Sequence, residues 1–144
     1  MTKRILYVVA ACVVLVAAGV IAMRFIMTPP SDLDLARSKA TANGLYVAAV
    51  EPEVEPVQQG PLHAWIVTVT MPDGAAVEGA AIAVDGGMPQ HGHGLPTAPA
   101  VAAYLGEGRY RIDGVRFNMA GWWELKLTIT APAGEDTAYF NILL

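Results

Sequence analysis

Apolar and polar residues alternate one by one over much of the chain after Gly44. The alternation is clearest at 122–130, where every second residue is apolar: Trp123, Leu125, Leu127 and Ile129. A period of two is typical of a β-strand that buries one face. Further strands are predicted from the same alternation or from short apolar runs at 45–50, 62–71, 80–84, 101–105, 109–113, 115–119 and 137–143.

Glycine-containing turn signals separate these runs, at 72–74, 86–87, 107–108, 113–114 and 133–134. Short strands punctuated in this way, with almost no helix signal, are typical of an all-β sandwich or small barrel. About seven to eight strands in about 100 residues favour an immunoglobulin-like β-sandwich, which we assign to residues 44–144. The paired cysteines of antibody domains are absent, so the similarity is one of architecture.

The N-terminal segment has a different pattern. The 19 residues from Ile5 to Met23 carry no charge, and as a helix they would be about 28 Å long, close to the thickness of a bilayer core. Lys3 and Arg4 precede them, as expected of a cytoplasmic flank. We interpret residues 1–27 as one uncleaved transmembrane anchor in the inner membrane, with the C-terminal domain in the periplasm. A cleaved signal peptide, or lipoprotein processing at Cys12, is the alternative.

Residues 28–43 connect the two parts. Ser31, followed by Asp34 three residues later, and Asn43-Gly44 are start and stop signals for a helix. These signals predict either a short helix at 32–42 or a juxtamembrane tether without regular structure, since the apolar spacing of the segment is poor.

Charge and composition exclude several functions. The domain from residue 28 onward contains all 13 acidic residues but only six of the nine basic ones, a net charge of −7. Such a surface repels phosphates, so nucleic acid is not expected as a partner. The only cysteine lies in the apolar segment, and the only serines are Ser31 and Ser38. With neither nucleophile in the sandwich and no glycine-rich phosphate loop, we expect a protein that is not an enzyme.

The candidate chemistry lies in a loop predicted at 86–97, which is rich in glycine and proline. His91 and His93 are two residues apart, so an extended backbone places their side chains on one face. Gly92 between them allows the chain to curl, and Met88 precedes them by three residues. Imidazole and thioether donors suit copper, and Cu(I) in particular, far better than magnesium or calcium.

Other residues would complete or surround this site. Met119 follows a different strand and would add a second thioether, although its parity with Val115 and Phe117 also fits a core position. His63 is either a third imidazole, which would shift the preference towards Cu(II) or zinc, or a structural histidine. Trp123 is predicted in the core, and Trp122 either shields the loop or covers the sheet.

The glycine-histidine loop, together with Gly108-x-Tyr110 and Phe117-x-Met119-x-Gly121-Trp122, resembles the YtkA-like/FixH-like domain family of membrane-anchored extracytoplasmic proteins. The resemblance covers about residues 44–144. It implies an immunoglobulin-like β-sandwich that faces the periplasm. It also implies an association with copper handling and with the assembly or supply of respiratory metalloenzymes.

These observations lead to one functional hypothesis and two alternatives. The hypothesis is a membrane-anchored periplasmic accessory domain that binds copper through His91 and His93, assisted by Met88 and Met119, and passes it to a metalloenzyme. In the first alternative the loop histidines are structural, and the domain is an interaction module that assists assembly of a membrane or periplasmic complex. In the second, a small apolar ligand binds between the sheets.

Overall fold

The N-terminal segment is a helix. The computed structural model describes residues 2–144, apart from the side chains of Thr2 and of residues 25–27. Helix α1 spans Thr2–Met27, and its portion Lys3–Arg24 is long and apolar enough to cross a membrane. By length and composition α1 is compatible with a single-pass membrane anchor. The helical unit ends at Ser31, and a second compact unit comprises Asp32–Leu144.

The second unit is built of antiparallel strands, which confirms the all-β prediction. Nine strands form one hydrogen-bonded sheet: β1 (Ser38–Ala40), β2 (Val47–Pro52), β3 (Leu62–Thr70), β4 (Ala81–Met88), β5 (His93–Gly94), β6 (Ala100–Gly106), β7 (Arg109–Arg116), β8 (Trp122–Ala131) and β9 (Gly134–Leu143). The number of strands exceeds the expected seven or eight because β1 and β5, which are only three and two residues long, are too short to show an alternating pattern in the sequence.

The sheet folds into two halves. One half has the order β1-β2-β3-β7-β6, and the other consists of β4, β8 and β9, with β5 beside β4. A single residue pair, Ala83 opposite Ala100, joins β4 to β6. On the other side the amide of Ala42 donates to the carbonyl of Thr137 at 2.8 Å. The sandwich is therefore closed nearly into a barrel.

Side chains from both halves fill the interior. The inward positions of β8 are buried as the alternation predicts, with Trp123 and Leu127 fully inaccessible. Phe117 packs edge-on against Trp65 of the first half at 6.4 Å and against Trp123 of the second at 5.3 Å, measured between ring centres. A ligand between the sheets would have to displace these packed rings, at a large cost in buried apolar surface.

The short helix considered for 32–42 is not formed. Residues 38–40 instead pair with β2 as strand β1, and the compact unit begins at Asp32 rather than at Gly44. The segment takes this conformation because of contacts with a strand that is distant in sequence. The hydroxyl of Thr41 and the amide of Asn43 donate to the buried carboxylate of Asp136 in β9, which fixes this segment against the sheet.

The strand registers place the connections at two ends of the sandwich. One end holds the segment where the chain joins the domain (32–37), the loops 53–61, 89–99 and 117–121, and the strand ends Leu62 and Leu143. We call it the histidine end because it contains His91 and His93. The opposite end consists of 41–46, 71–80, 106–108 and 131–134.

Candidate functional site

The glycine-histidine stretch is a hairpin and not a loop throughout. Strand β4 continues to Met88, and β5 pairs back onto it with Gly87 opposite Gly94 and Met88 opposite His93. The carbonyl of Met88 accepts hydrogen bonds from the amides of His91 at 3.0 Å and Gly92 at 2.9 Å. The turn between the strands therefore has a defined shape, set by the backbone.

Two glycines allow this hairpin to lie close to its neighbours. A Cβ on Gly87 would be 2.3 Å from the carbonyl oxygen of His93, and one on Gly86 would be 2.2 Å from that of Glu124. Both distances are shorter than any side chain tolerates, so β5 and β8 approach β4 as closely as they do only because these positions lack a Cβ.

The two loop histidines lie side by side. Their ring centres are 5.8 Å apart, and the ring planes are inclined by 29°. A metal–nitrogen bond is about 2.0–2.1 Å, and the ring centre lies about 1.1 Å further on, so two imidazoles on one ion hold their centres about 5–6 Å apart. The 5.8 Å separation of the His91 and His93 ring centres falls within this range.

His93 is held from two sides. Its ring meets the edge of Trp123 at 6.0 Å between centres, and its Nδ1 lies 3.3 Å from the carbonyl oxygen of Gly94. Because a carbonyl only accepts, this contact is a hydrogen bond when Nδ1 carries the proton. The lone pair is then on Nε2, the arrangement found in many metal-binding histidines.

The two methionines differ in exposure. Met88 is only 1% exposed, and its position opposite His93 puts both side chains on the same face of the ladder. Met119 is 37% exposed, not in the core as its parity with Phe117 suggested, because it lies beyond the end of β7 in the 117–121 connection. Its carbonyl accepts a hydrogen bond from the indole of Trp123 at 3.0 Å, and Trp123 is the residue that the His93 ring contacts.

His63 lies apart from the other two histidines. Its Nε2 is 2.7 Å from the carbonyl oxygen of Gln58, and its ring is 6.1 Å from that of Phe117. These contacts match the structural reading of His63. Within residues 2–144, no three His, Cys, Asp or Glu side chains are grouped so that they could hold an ion, so a third imidazole does not join the pair.

Sequence reasoning missed the contact of His93 with Trp123 and the cleft beside the hairpin. This surface cleft, of about 330 Å³, is lined by Met88, His93 and Glu124. Trp122, considered as a shield for the loop, donates instead to the side chain of Asn141 and covers the sheet. Glu124 reaches the cleft through its register opposite Gly87, and no spacing in the sequence encodes that register.

Comparison with known proteins bears on the family. No curated protein and no solved structure matches the chain significantly. A model of the YtkA-like family matches residues 39–128, more than half of the chain, from β1 into β8 and including the histidine hairpin. The chain therefore belongs to the YtkA-like family.

Proposed function

We propose that this protein is a membrane-anchored periplasmic accessory domain that binds one copper ion through His91 and His93. The observation that carries the proposal is the 5.8 Å separation of the two imidazole rings on a hairpin of defined shape. The domain is not an enzyme in this proposal. It buffers copper or passes it to a respiratory or other metalloenzyme.

The choice of copper rests on the donors around the pair. Met88 and Met119 supply thioether sulfur, which has no proton to lose and favours Cu(I). No cluster of three carboxylate, imidazole or thiol groups exists within residues 2–144, so hard ions such as Ca²⁺ lack the oxygen ligands that they require.

The N-terminal segment supports the proposed location. In this proposal helix α1 is the anchor, with Lys3 and Arg4 on the cytoplasmic side, and the domain lies in the periplasm. Anchoring confines the domain near a membrane-bound acceptor and raises its effective concentration there.

Copper titration of the full chain in detergent tests the proposal, with a Cu(I) chelator of known affinity as competitor. The double variant His91→Ala/His93→Ala should bind Cu(I) at least about 100-fold more weakly. His63→Ala is the matched control, because it removes an imidazole whose hydrogen bond is to Gln58, and it should leave affinity unchanged. Equal affinity of the double variant and the unmodified protein would refute the site.

A second function is favoured by the packing of His93 on Trp123. If the histidines hold the hairpin for an interaction module, the double variant should lower the Tm of the metal-free protein by more than about 5 °C. A metal site on this exposed turn predicts a change below about 3 °C. Measuring Tm without metal therefore separates the two functions.

A further inference from the structure

Exposed apolar side chains are distributed unevenly between the two ends of the sandwich. After Ser31, nine large hydrophobic side chains are exposed, and five of them lie at the histidine end: Leu35, Val54, Leu62, Met119 and Leu143. Two of the nine, Tyr104 and Leu105, lie beside the 106–108 turn at the opposite end. Single exposed apolar residues are ordinary, but their concentration at one end indicates a surface that meets something apolar.

The chain also joins the domain at the histidine end. The carbonyl of Asp34 accepts from the side chain of Asn141 at 2.9 Å, and Arg37 forms an ion pair with Glu55 at 3.8 Å. Four residues, 28–31, separate the end of α1 from the second unit, and four extended residues cover at most about 14 Å. When α1 is inserted in a bilayer, the connection therefore keeps the point where the chain enters the domain close to the lipid headgroups.

The charges select the kind of lipid. Arg37 and Arg116 at this end are accompanied by Asp34, Glu53 and Glu55, and the domain as a whole carries −7. Anionic lipids would repel such a domain, so the contact has to come from aliphatic side chains that enter the interface.

We propose that the histidine end docks onto the zwitterionic lipid surface of the bilayer that holds α1, with the side chains of Val54, Leu62 and Leu143 in the interface. The proposal rests on membrane insertion of α1, which is part of the proposed function, and is independent of copper. Docking would hold His91 and His93 at the level of the headgroups.

The test uses the full chain in phosphatidylcholine nanodiscs, with Cys12→Ser as background and an environment-sensitive fluorophore on one introduced cysteine. Leu62→Cys probes the histidine end, and Ala133→Cys, an exposed small residue at the opposite end, is the matched control. Emission at position 62 should shift to the blue, and a quencher carried by the lipid should lower it at least about two-fold. Position 133 should show neither effect, and exchanging part of the lipid for phosphatidylglycerol should weaken the effect at position 62.

Three results would overturn the proposal. The first is an equal response at the two positions. The second is an aqueous probe at position 62 in pure lipid that becomes protected only in native membrane vesicles, which would assign the surface to a protein partner. The third is failure of the chain to co-elute with nanodiscs, which would show that α1 does not anchor the protein in a bilayer. None of these results changes the copper titration, so docking and metal binding fail separately.

Discussion

At the opposite end of the sandwich a buried carboxylate is fully hydrogen-bonded, whereas at the histidine end two imidazoles and five aliphatic side chains face outward. Asp136 is 3% exposed and accepts from the hydroxyl of Thr41 at 2.6 Å and from the amides of Asn43 and Leu45 at 3.0 and 3.2 Å. In the core between the two ends, the indole N–H of Trp65 is the one buried side-chain group without a hydrogen-bond partner among the described residues.

The pKa of Asp136 shows what the opposite end contributes. Burial by itself raises the pKa of this carboxyl group. The hydrogen bonds from Thr41, Thr137, Asn43 and Leu45 outweigh burial and lower the pKa from 3.8 to about 2. The network therefore stabilises the charged form and fixes β9 to the segment before β2. Changes at this end should alter stability and leave binding intact, and changes at the histidine end should do the reverse.

The largest expected effect is that of Asp136→Asn on stability. The variant replaces an acceptor by an NH₂ group that faces the amides of Asn43 and Leu45, which leaves buried donors unpaired. We expect Tm to fall by about 5–10 °C, measured by circular dichroism on the full chain in detergent, with Cu(I) affinity unchanged. A parallel loss of copper binding in the folded variant would show that the two ends are coupled.

Gly87→Ala should mainly lower the affinity for Cu(I), in contrast to Asp136→Asn, which should mainly lower stability. Its Cβ would be 2.3 Å from the carbonyl oxygen of His93, so β5 has to move and the two imidazoles lose their alignment. We expect Cu(I) affinity to fall about ten-fold, measured by the same chelator competition. Gly94→Ala in the same hairpin is the control, because its Cβ would lie 3.4 Å from the nearest atom, the carbonyl oxygen of Gly86. Equal effects of the two variants would contradict a positioning role for Gly87.

The smallest effect is the response to acid. The pKa of Asp136 in the folded protein, about 2, is below its ordinary value of 3.8. Its contribution to stability is therefore complete above about pH 4 and is lost as the pH falls towards 2. In urea titrations at successive pH values, the unmodified protein should lose stability more steeply over this window than Asp136→Asn. Parallel curves would mean that Asp136 does not titrate as its contacts require.

Much of the sandwich could be predicted from local pattern. The alternation at 122–130 identified the buried face of β8, because a strand exposes successive side chains on opposite sides whatever its neighbours are. The segment at 32–42 was harder, because Asn43, which resembles a helix stop signal, instead donates its amide to the buried carboxylate of Asp136, 93 residues later in the chain. The core position that parity suggested for Met119 was wrong for a related reason. The alternation of buried and exposed side chains holds only while the strand continues, and β7 ends before Met119.

The sequence by itself determined that this is an apolar helix followed by an all-β domain with two histidines in a glycine-rich turn. Periodicity and backbone restrictions are local, and they act on neighbours along the chain. Only the tertiary structure decided that Trp123 stands beside His93, that His63 does not, and that the chain joins the domain at the histidine end. Those facts depend on strand order and register, which arise from contacts between residues that are distant in sequence.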